Sequence, residues 1–379
     1  MRIGFDFRMG GSINSGIGRY VFELLKQVLK NDDKNEYFIF YNKFNVDEED
    51  LKKLSKFSSV TLVATSIRHY SLMEQLLLPR ILKKYNLDLM HFPNFNVPVF
   101  YKGKYVVTIH DMVHHKISGH KKSHWLHFQA YKYIIQKAAE RADKIITVTH
   151  FAKTEIVNFL HVRPEKIEVI YEAPSLEPVS PQFVEKTKKL LLLHRPYFLF
   201  VGTMERKKNI IMLAKGFDLF LDKTNLNMDL VFAGKVDRHY PEIKFEALYI
   251  KHKDRLVFTD YVENDTLSAL YQGAYAFATA SLHEGFGLPG VEAMQFGLPI
   301  LASNTEVFNE VYDNAAMYFD PMKAEDIAEK MSIIARDVQF HKIMQEKGSA
   351  RGVIFDWSIA AKKTLEIYNS LLHEEVYVE

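Results

Sequence analysis

The chain has 379 residues, 47% hydrophobic and 25% charged, and its 49 Lys and Arg against 47 Asp and Glu leave a net charge of only +2. That composition excludes disorder, collagen and coiled coil, and at roughly 150 residues per domain the length predicts two domains, each with its own core. There is no cysteine, which excludes a disulfide scaffold, a thiolate zinc site and a cysteine nucleophile together.

The chain opens with Met1-Arg-Ile-Gly-Phe-Asp-Phe7, a charged alternating run that reads as a strand rather than a signal peptide. Nothing approaches the length of apolar run needed to span a bilayer, so a cytoplasmic location is expected, in keeping with the missing cysteines. Candidate strands follow at Tyr37–Tyr41, Val60–Val63, Tyr105–Ile109, Lys144–Val148 and Ile167–Ile170, then at Tyr197–Gly202, Leu230–Ala233, Leu256–Phe258, Tyr275–Thr279 and Pro299–Ala302. Helical patterns such as Tyr20–Leu29, Leu72–Lys84, Trp125–Ala142 and Ile210–Leu221 lie between them. Such alternation predicts an α/β protein with parallel sheets covered by helices on both faces.

Pro174, Pro178, Pro181 and Pro196 cluster between the two strand series and mark residues 174–196 as an interdomain linker. The expected domains are therefore residues 1–173 and 197–356, both Rossmann-like and doubly wound. Ligands of such sheets sit beyond the carboxyl ends of the strands, which predicts a substrate cleft between two facing domains.

The even total hides an asymmetry. Residues 51–150 hold 16 basic and 5 acidic residues, whereas residues 251–379 hold 11 basic and 20 acidic. Either two solvated surfaces drift apart in charge, or the first half faces something anionic.

The stretch Ser281-Leu-His-Glu-Gly-Phe-Gly-Leu-Pro-Gly-Val-Glu292 follows a strand. Proline is at home in a helix's first turn, so a helix is expected to start near Pro289, with Glu284 on the preceding loop and Glu292 in the first turn. The glycines let backbone N–H groups approach a phosphate at the positive helix end, and a carboxylate there can accept two vicinal ribose hydroxyls. A plain glycine turn, with Glu292 complementing the dipole, is the alternative. After Tyr197–Gly202 comes Thr203-Met-Glu-Arg-Lys-Lys-Asn209. Three cations, Arg206, Lys207 and Lys208, at a helix start oppose the macrodipole, and a diphosphate among them would resolve the conflict.

In the first half, Ser15-Gly-Ile-Gly-Arg-Tyr20 opens a helix like a phosphate loop, without the full dinucleotide fingerprint or a Walker lysine. His110-Asp111 ends a strand at the expected cleft. His110, His114, His115, His120, His124 and His127 are concentrated, and His120 and His124 have the spacing of metal ligands on a helix. No carboxylate lies between residues 112 and 139 to complete a site, so no metal is expected. The basic aromatic run Lys121–Ile135 reads as a helix with one core face and solvated lysines, or as one lying on an anionic membrane. Nucleic acid is not an expected partner.

At these residues the sequence resembles the retaining glycosyltransferases of family 4, which have the two-domain GT-B fold. The likeness runs in order through almost the whole chain: Gly16-Ile-Gly-Arg-Tyr20, Asp88-Leu-Met-His-Phe-Pro93, Thr108-Ile-His-Asp111, Lys144-Ile-Ile-Thr-Val148, Val201-Gly-Thr203, Arg206-Lys-Lys-Asn209, Phe232-Ala-Gly-Lys235, and Glu284 with Glu292. The resemblance implies that Glu292 binds the nucleotide ribose. Glu284 with Gly285, Phe286, Gly287 and Leu288 would meet the donor sugar and phosphates, and Lys208 with Lys207 or Arg206 would neutralise the leaving diphosphate. Gly16 and Gly18 would close over it, and His110, beside Asp111, would contact the transferred sugar or stabilise the developing charge.

Preorganised cations and N–H groups are then the main catalytic element. A leaving-group phosphate oxygen would take the acceptor proton, so neither a resident metal nor a separate base is implied. Many relatives have Pro-Arg-Lys where this chain has Arg206-Lys207-Lys208, and some have arginine at the position of Thr203. Either fewer cations serve the diphosphate here or Arg206 takes that role. The final helix, read from Trp357 to Leu372 within residues 357–379, crosses back onto the first domain in relatives.

The implied function is transfer of a hexose from a nucleotide diphosphate sugar to a glycan or lipid-linked acceptor in polysaccharide or glycoconjugate biosynthesis. Mannose from GDP-mannose is the first candidate, because the pattern is similar to bacterial mannosyltransferases. The setting would be cytoplasmic, with a peripheral contact on the inner face of the plasma membrane. The rivals are a nucleotide-sugar 2-epimerase of the same fold and a non-catalytic nucleotide-sugar-binding subunit.

Overall fold

The computed structural model describes residues 1–11, 15–112, 125–238, 240–247 and 249–373. In chain order the strands are β1 (Arg2–Asp6), β2 (Glu36–Asn42), β3 (Val60–Thr65), β4 (Leu89–Phe92), β5 (Tyr105–Thr108), β6 (Lys144–Thr147) and β7 (Ile167–Val169). They continue with β8 (Tyr197–Val201), β9 (Asp229–Ala233), β10 (Leu256–Asp260), β11 (Ala276–Thr279), β12 (Ile300–Ser303) and β13 (Ala316–Phe319). Among the described residues these form two sheets, ordered β3-β2-β1-β4-β5-β6-β7 and β10-β9-β8-β11-β12-β13. Pairing is parallel throughout, for example Phe5 with Ile39 and with His91, and Phe200 with Phe232.

Residues 1–172, together with the chain from residue 356 on, make one compact unit, and residues 173–355 make the other. The expected α/β architecture with two doubly wound parallel sheets is what the chain adopts. Residues 174–196 differ from the linker expectation. Pro181 sits at the first position of a helix, Pro181–Leu190, whose N-cap Ser180 accepts from the Phe183 N–H, and the whole stretch folds with the second unit. Pro181 starts a helix rather than marking a free connector. The helix Trp357–His373 belongs to the first unit and packs on the helix Ser15–Asn31.

Strands of a sheet covered on both faces are apolar throughout. The side chains of Tyr197–Phe200 are all buried, as are those of β9. In the first unit Phe40, Phe92, Val107, Ile109 and Ile145 pack against Ile135 and Ile156 from the flanking helices. In the second, Phe198, Leu230 and Phe232 meet Leu213, Phe217 and Ile327, each such side chain contributing about 1.5–3 kcal/mol on burial. Gly216 lets two helices approach closely, because a Cβ there would stand 2.4 Å from the Ile327 side chain. β4 lies outside the strands read from apolar runs because His91 interrupts its pattern. The ring is nevertheless fully buried, with both nitrogens bonded, to Tyr368 Oη at 2.6 Å and Thr108 Oγ1 at 3.0 Å.

Each sheet reverses its strand order once, between β1 and β4 and between β8 and β11. The loops leaving those strands are where open α/β sheets bind ligands. Among the described residues no helix is long and apolar enough to cross a membrane.

Candidate active site

In the second unit, β8 and β11 flank the switch point, and the two loops that follow them are joined. The Leu282 N–H donates to the Lys207 carbonyl at 2.7 Å. Residues Arg206–Lys208 form one turn of 3-10 helix, closed by Asn209 at φ +54°, which caps the helix Ile210–Thr224. Asparagine tolerates that left-handed conformation better than most residues, and its side-chain amide donates to the Pro321 carbonyl at 2.7 Å.

Lys208 Nζ donates to Glu284 Oε1 at 2.5 Å, with both side chains mostly buried. Burial alone would raise the Glu284 carboxyl. The charge and hydrogen bond of Lys208, helped by Lys207 and Ser281, outweigh it and hold the group below the usual range. Glu284 is therefore a carboxylate at neutral pH, paired with a cation at the switch point.

The three cations have different carboxylate partners. Arg206 donates to Glu242 at 2.7 Å and lies over the Tyr240 ring at 4.4 Å, and Lys207 stands 3.6 Å from Glu205. Each has its own carboxylate, so the macrodipole conflict is met within the chain. Lys208 is the cation held to Glu284, whereas Arg206 is largely exposed. Thr203 is exposed between β8 and this turn.

The next helix is Leu288–Gln295, one residue earlier than proline placement predicts, and Gly287 at φ +95° is its N-cap, with no side-chain cap among the described residues. Any Cβ at Gly287 would meet the Tyr312 hydroxyl at 2.5 Å, and that hydroxyl donates to the Gly287 carbonyl at 2.7 Å. Tyr312 is thus the floor of the loop. Burial pushes its phenol well above the ordinary value, and the Glu284 charge adds to this.

Glu292 is the fifth residue of the helix, beyond the first turn, and is buried. Tyr271 Oη donates to its Oε2 at 2.9 Å and stacks on Phe296. The Phe286 ring points into the core against Phe355, so this residue can meet a ligand only through its backbone. Gly285 and Leu288 are half-buried beside it.

In the first unit, His110 follows β5. Its Nδ1 lies 3.0 Å from Glu172 Oε1 and its Nε2 lies 3.1 Å from the Pro93 carbonyl, and the Tyr20 ring meets it edge-on at 4.5 Å. Burial would lower this imidazole, but the Glu172 hydrogen bond and charge, with Pro93 and Asp111, raise it above the ordinary histidine value. Asp111 is half-buried beside it. Gly16 lies in the helix Ser15–Asn31 with open space where a Cβ would stand, and the Gly18 carbonyl accepts from the Gly11 N–H at 2.9 Å.

Further in, Arg8 is fully buried and donates to Asp6 at 2.6 Å and to Glu74 at 2.7 Å. Glu74 also accepts from the Tyr70 N–H and the Asn96 amide. Sequence reasoning passed over this ionic cluster, although charges inside and just after a buried strand were its signal. It also passed over Glu172, Tyr271 and Tyr312, whose partners are distant in the chain.

His114, His115, His120, His124, Lys121 and Lys122 lie outside the described residues. Among the described residues no three His, Asp or Glu side chains converge on a metal position. The helix Trp125–Arg141 keeps Tyr133 exposed and Lys132 over the Phe128 ring.

Residues 14–176 match the family model described as Glycosyltransferase Family 4, and residues 182–351 match Glycosyl transferases group 1. The chain belongs to glycosyltransferase family 4, has the GT-B fold and is a glycosyltransferase. It is similar to O-antigen chain mannosyltransferase B of Escherichia coli, 27% identical over 94% of this chain and 96% of that one. O-antigen chain mannosyltransferase RfbU of Salmonella typhimurium is 30% identical over half of each chain. Among solved structures, Anabaena Alr3699/HepE in complex with UDP and glucose superposes with a TM-score of 0.77 at 16% identity, over 98% of this chain and 100% of that one. That likeness is one of fold.

Proposed function

We propose that this glycosyltransferase transfers mannose from GDP-mannose, with retention of anomeric configuration, to a glycan or lipid-linked acceptor. The observation that carries the reading is the Lys208–Glu284 pair at the switch point between β8 and β11. The names of the two mannosyltransferase relatives support the choice of sugar. The proposal assigns the donor diphosphate to Lys208, with Lys207 close by, and to the backbone of Gly285–Leu288 at the N-terminus of the helix Leu288–Gln295. The diphosphate charge is thus met by side chain and N–H groups rather than by a metal ion.

When the bond from the anomeric carbon to the diphosphate breaks, negative charge grows on the leaving oxygens, and a preorganised cation stabilises that state more than the ground state. The acceptor hydroxyl forms the new bond on the same face and passes its proton to a leaving-group phosphate oxygen. Glu292, oriented by Tyr271, is assigned to the ribose hydroxyls. Thr203, Gly16 and Gly18 are assigned to the phosphates, and His110 with Asp111 to the transferred sugar. The proposed setting is the cytoplasmic face of the plasma membrane, where the basic excess of residues 51–150 suits an anionic lipid surface.

The test is product formation from GDP-mannose, UDP-glucose, UDP-N-acetylglucosamine and an ADP-sugar with a panel of glycan and lipid-linked acceptors, the anomeric configuration being read by NMR. Retained product from GDP-mannose, lost in Lys208→Ala and Glu292→Ala, is expected. Unchanged turnover in both variants would overturn the site. Conversion of UDP-N-acetylglucosamine with no acceptor present would replace the reading with epimerisation.

A further inference from the structure

Both ring nitrogens of His110 face oxygens: the Glu172 carboxyl at 3.0 Å and the Pro93 main-chain carbonyl at 3.1 Å. A carbonyl oxygen only accepts, and a carboxyl group is ordinarily ionised at neutral pH and then also only accepts. Either neutral tautomer would turn one nitrogen lone pair against an oxygen lone pair at hydrogen-bond distance. The doubly protonated ring satisfies both contacts.

The surroundings hold the ring in this orientation. Tyr20 meets it edge-on, and Trp357 packs on Tyr20 at 5.7 Å. The titratable groups around the imidazole, among the described residues, are Glu172, the adjacent Asp111, the Tyr20 phenol, and His91, whose own buried ring is pushed down to about 3 by desolvation first and then by the His110 charge. The Glu172 carboxyl thus meets the His110 ring directly, the Asp111 charge adds to it, and the histidine neighbour stays neutral. Glu172 is also the last residue of the first unit before the chain enters the second.

We infer that Glu172 is a positioning residue that holds His110 as an imidazolium, so that His110 serves the donor as a hydrogen-bond donor and fixed positive charge and not as a base. This rests on the proposed role of His110 at the transferred sugar. The Nε2–H, now on the Pro93 carbonyl, is the one that could exchange to a ligand oxygen, while Nδ1–H stays anchored to Glu172. Protonation raises the ring's strength as a donor, and a neighbouring carboxylate favours the charged form of a histidine.

The experiment is a pH titration of the His110 ring by two-bond proton–nitrogen NMR in the full chain, assigned by difference from His110→Asn. The wild-type ring should be doubly protonated at pH 7. Glu172→Gln should move its midpoint clearly down, and Glu172→Asp, which keeps the charge, should restore most of the shift. A neutral single tautomer in the wild-type ring at pH 7, or a midpoint unmoved in Glu172→Gln, overturns the inference.

The basic limb of kcat/KM should move down with the midpoint in Glu172→Gln and recover in Glu172→Asp, which a loss of packing alone would not produce. Turnover of His110→Ala is read separately. If it equals wild type while the NMR shift stands, the catalytic reading of His110 falls and the ion pair survives.

Discussion

The two sheets have the same plan, and both switch points hold a cation paired with carboxylate, yet the two differ in how deeply those ions are buried. Beyond β1 the fully buried Arg8 is held between Asp6 and Glu74, with side-chain exposures of 0%, 5% and 0%. Beyond β8 the Lys208–Glu284 pair keeps 13% and 15% of its side chains exposed. Ions in the first cluster are out of a ligand's reach and serve the fold. Those of the second keep some solvent access, so on the proposed reading an incoming anion can compete for the lysine. Position at a switch point therefore does not by itself make a site; solvent access and the balance of charge decide.

The largest effect should come from breaking the buried cluster. Arg8→Met strands two carboxylates in the core and is expected to cost about 3–5 kcal/mol of stability, read by urea unfolding. The burial that opposes ionisation of Asp6 is overcome by Arg8 first, so the loss should fall most heavily above the carboxylate range. On the proposed reading, Lys208→Ala has a different balance: turnover falls about 10²- to 10³-fold, while the stability lost by leaving the partly exposed Glu284 unpaired is smaller than in Arg8→Met. Should Lys208→Ala unfold the chain as Arg8→Met does, the two switch points would be alike and the comparison would break.

What could be read in advance follows the same division. Lys208, Glu284 and Glu292 lie in contiguous segments at strand ends, where residue type and position together betray a site. The carboxylates that pair Arg206 and the switch-point lysine stand 36 and 76 residues away, so the sequence shows three adjacent cations without showing the partners that each already has. Glu172 hid in a different way. It reaches His110 across 62 residues and borders a stretch whose prolines read as linker. The tyrosines beneath the glycine turn and behind Glu292 sit in helices where an aromatic reads as core, and their hydroxyls acquire partners only through packing. β4 was veiled because a histidine in a strand looks like a break until both its nitrogens are satisfied.

His91 sharpens the comparison through pH. Its ring is buried neutral with its folded value pushed down to about 3, by desolvation first, while the unfolded chain takes the proton near 6.5. Between those values the unfolded state binds more protons, so stability rises with pH, by at most about 1.4 kcal/mol per unit. The Lys208–Glu284 pair acts lower. Glu284 is held below its ordinary value, so its contribution is complete above the carboxylate range and is lost as pH falls through the lowered value. Denaturant midpoints from pH 7 to pH 4 in wild type and His91→Gln separate the two: the slope above pH 5 should flatten in the variant. An unchanged slope would mean that the ring is not what makes the first unit sensitive to acid.

The smallest effect belongs to Arg206, and it tests which cation matters. Its side chain is 71% exposed, and its partner Glu242 is 44% exposed. Exposed pairs are worth about 0–1 kcal/mol, and the guanidinium over the Tyr240 ring adds about 0.5–1 kcal/mol. Arg206→Ala should therefore barely move the unfolding midpoint. If Arg206 instead swings to the donor diphosphate, breaking Glu242 away should help it do so. KM for the nucleotide sugar should then rise in Arg206→Ala and fall in Glu242→Gln. With Lys208 as the working cation, both variants keep wild-type kinetics while Lys208→Ala does not, and the single lysine bonded to Glu284 accounts for the site.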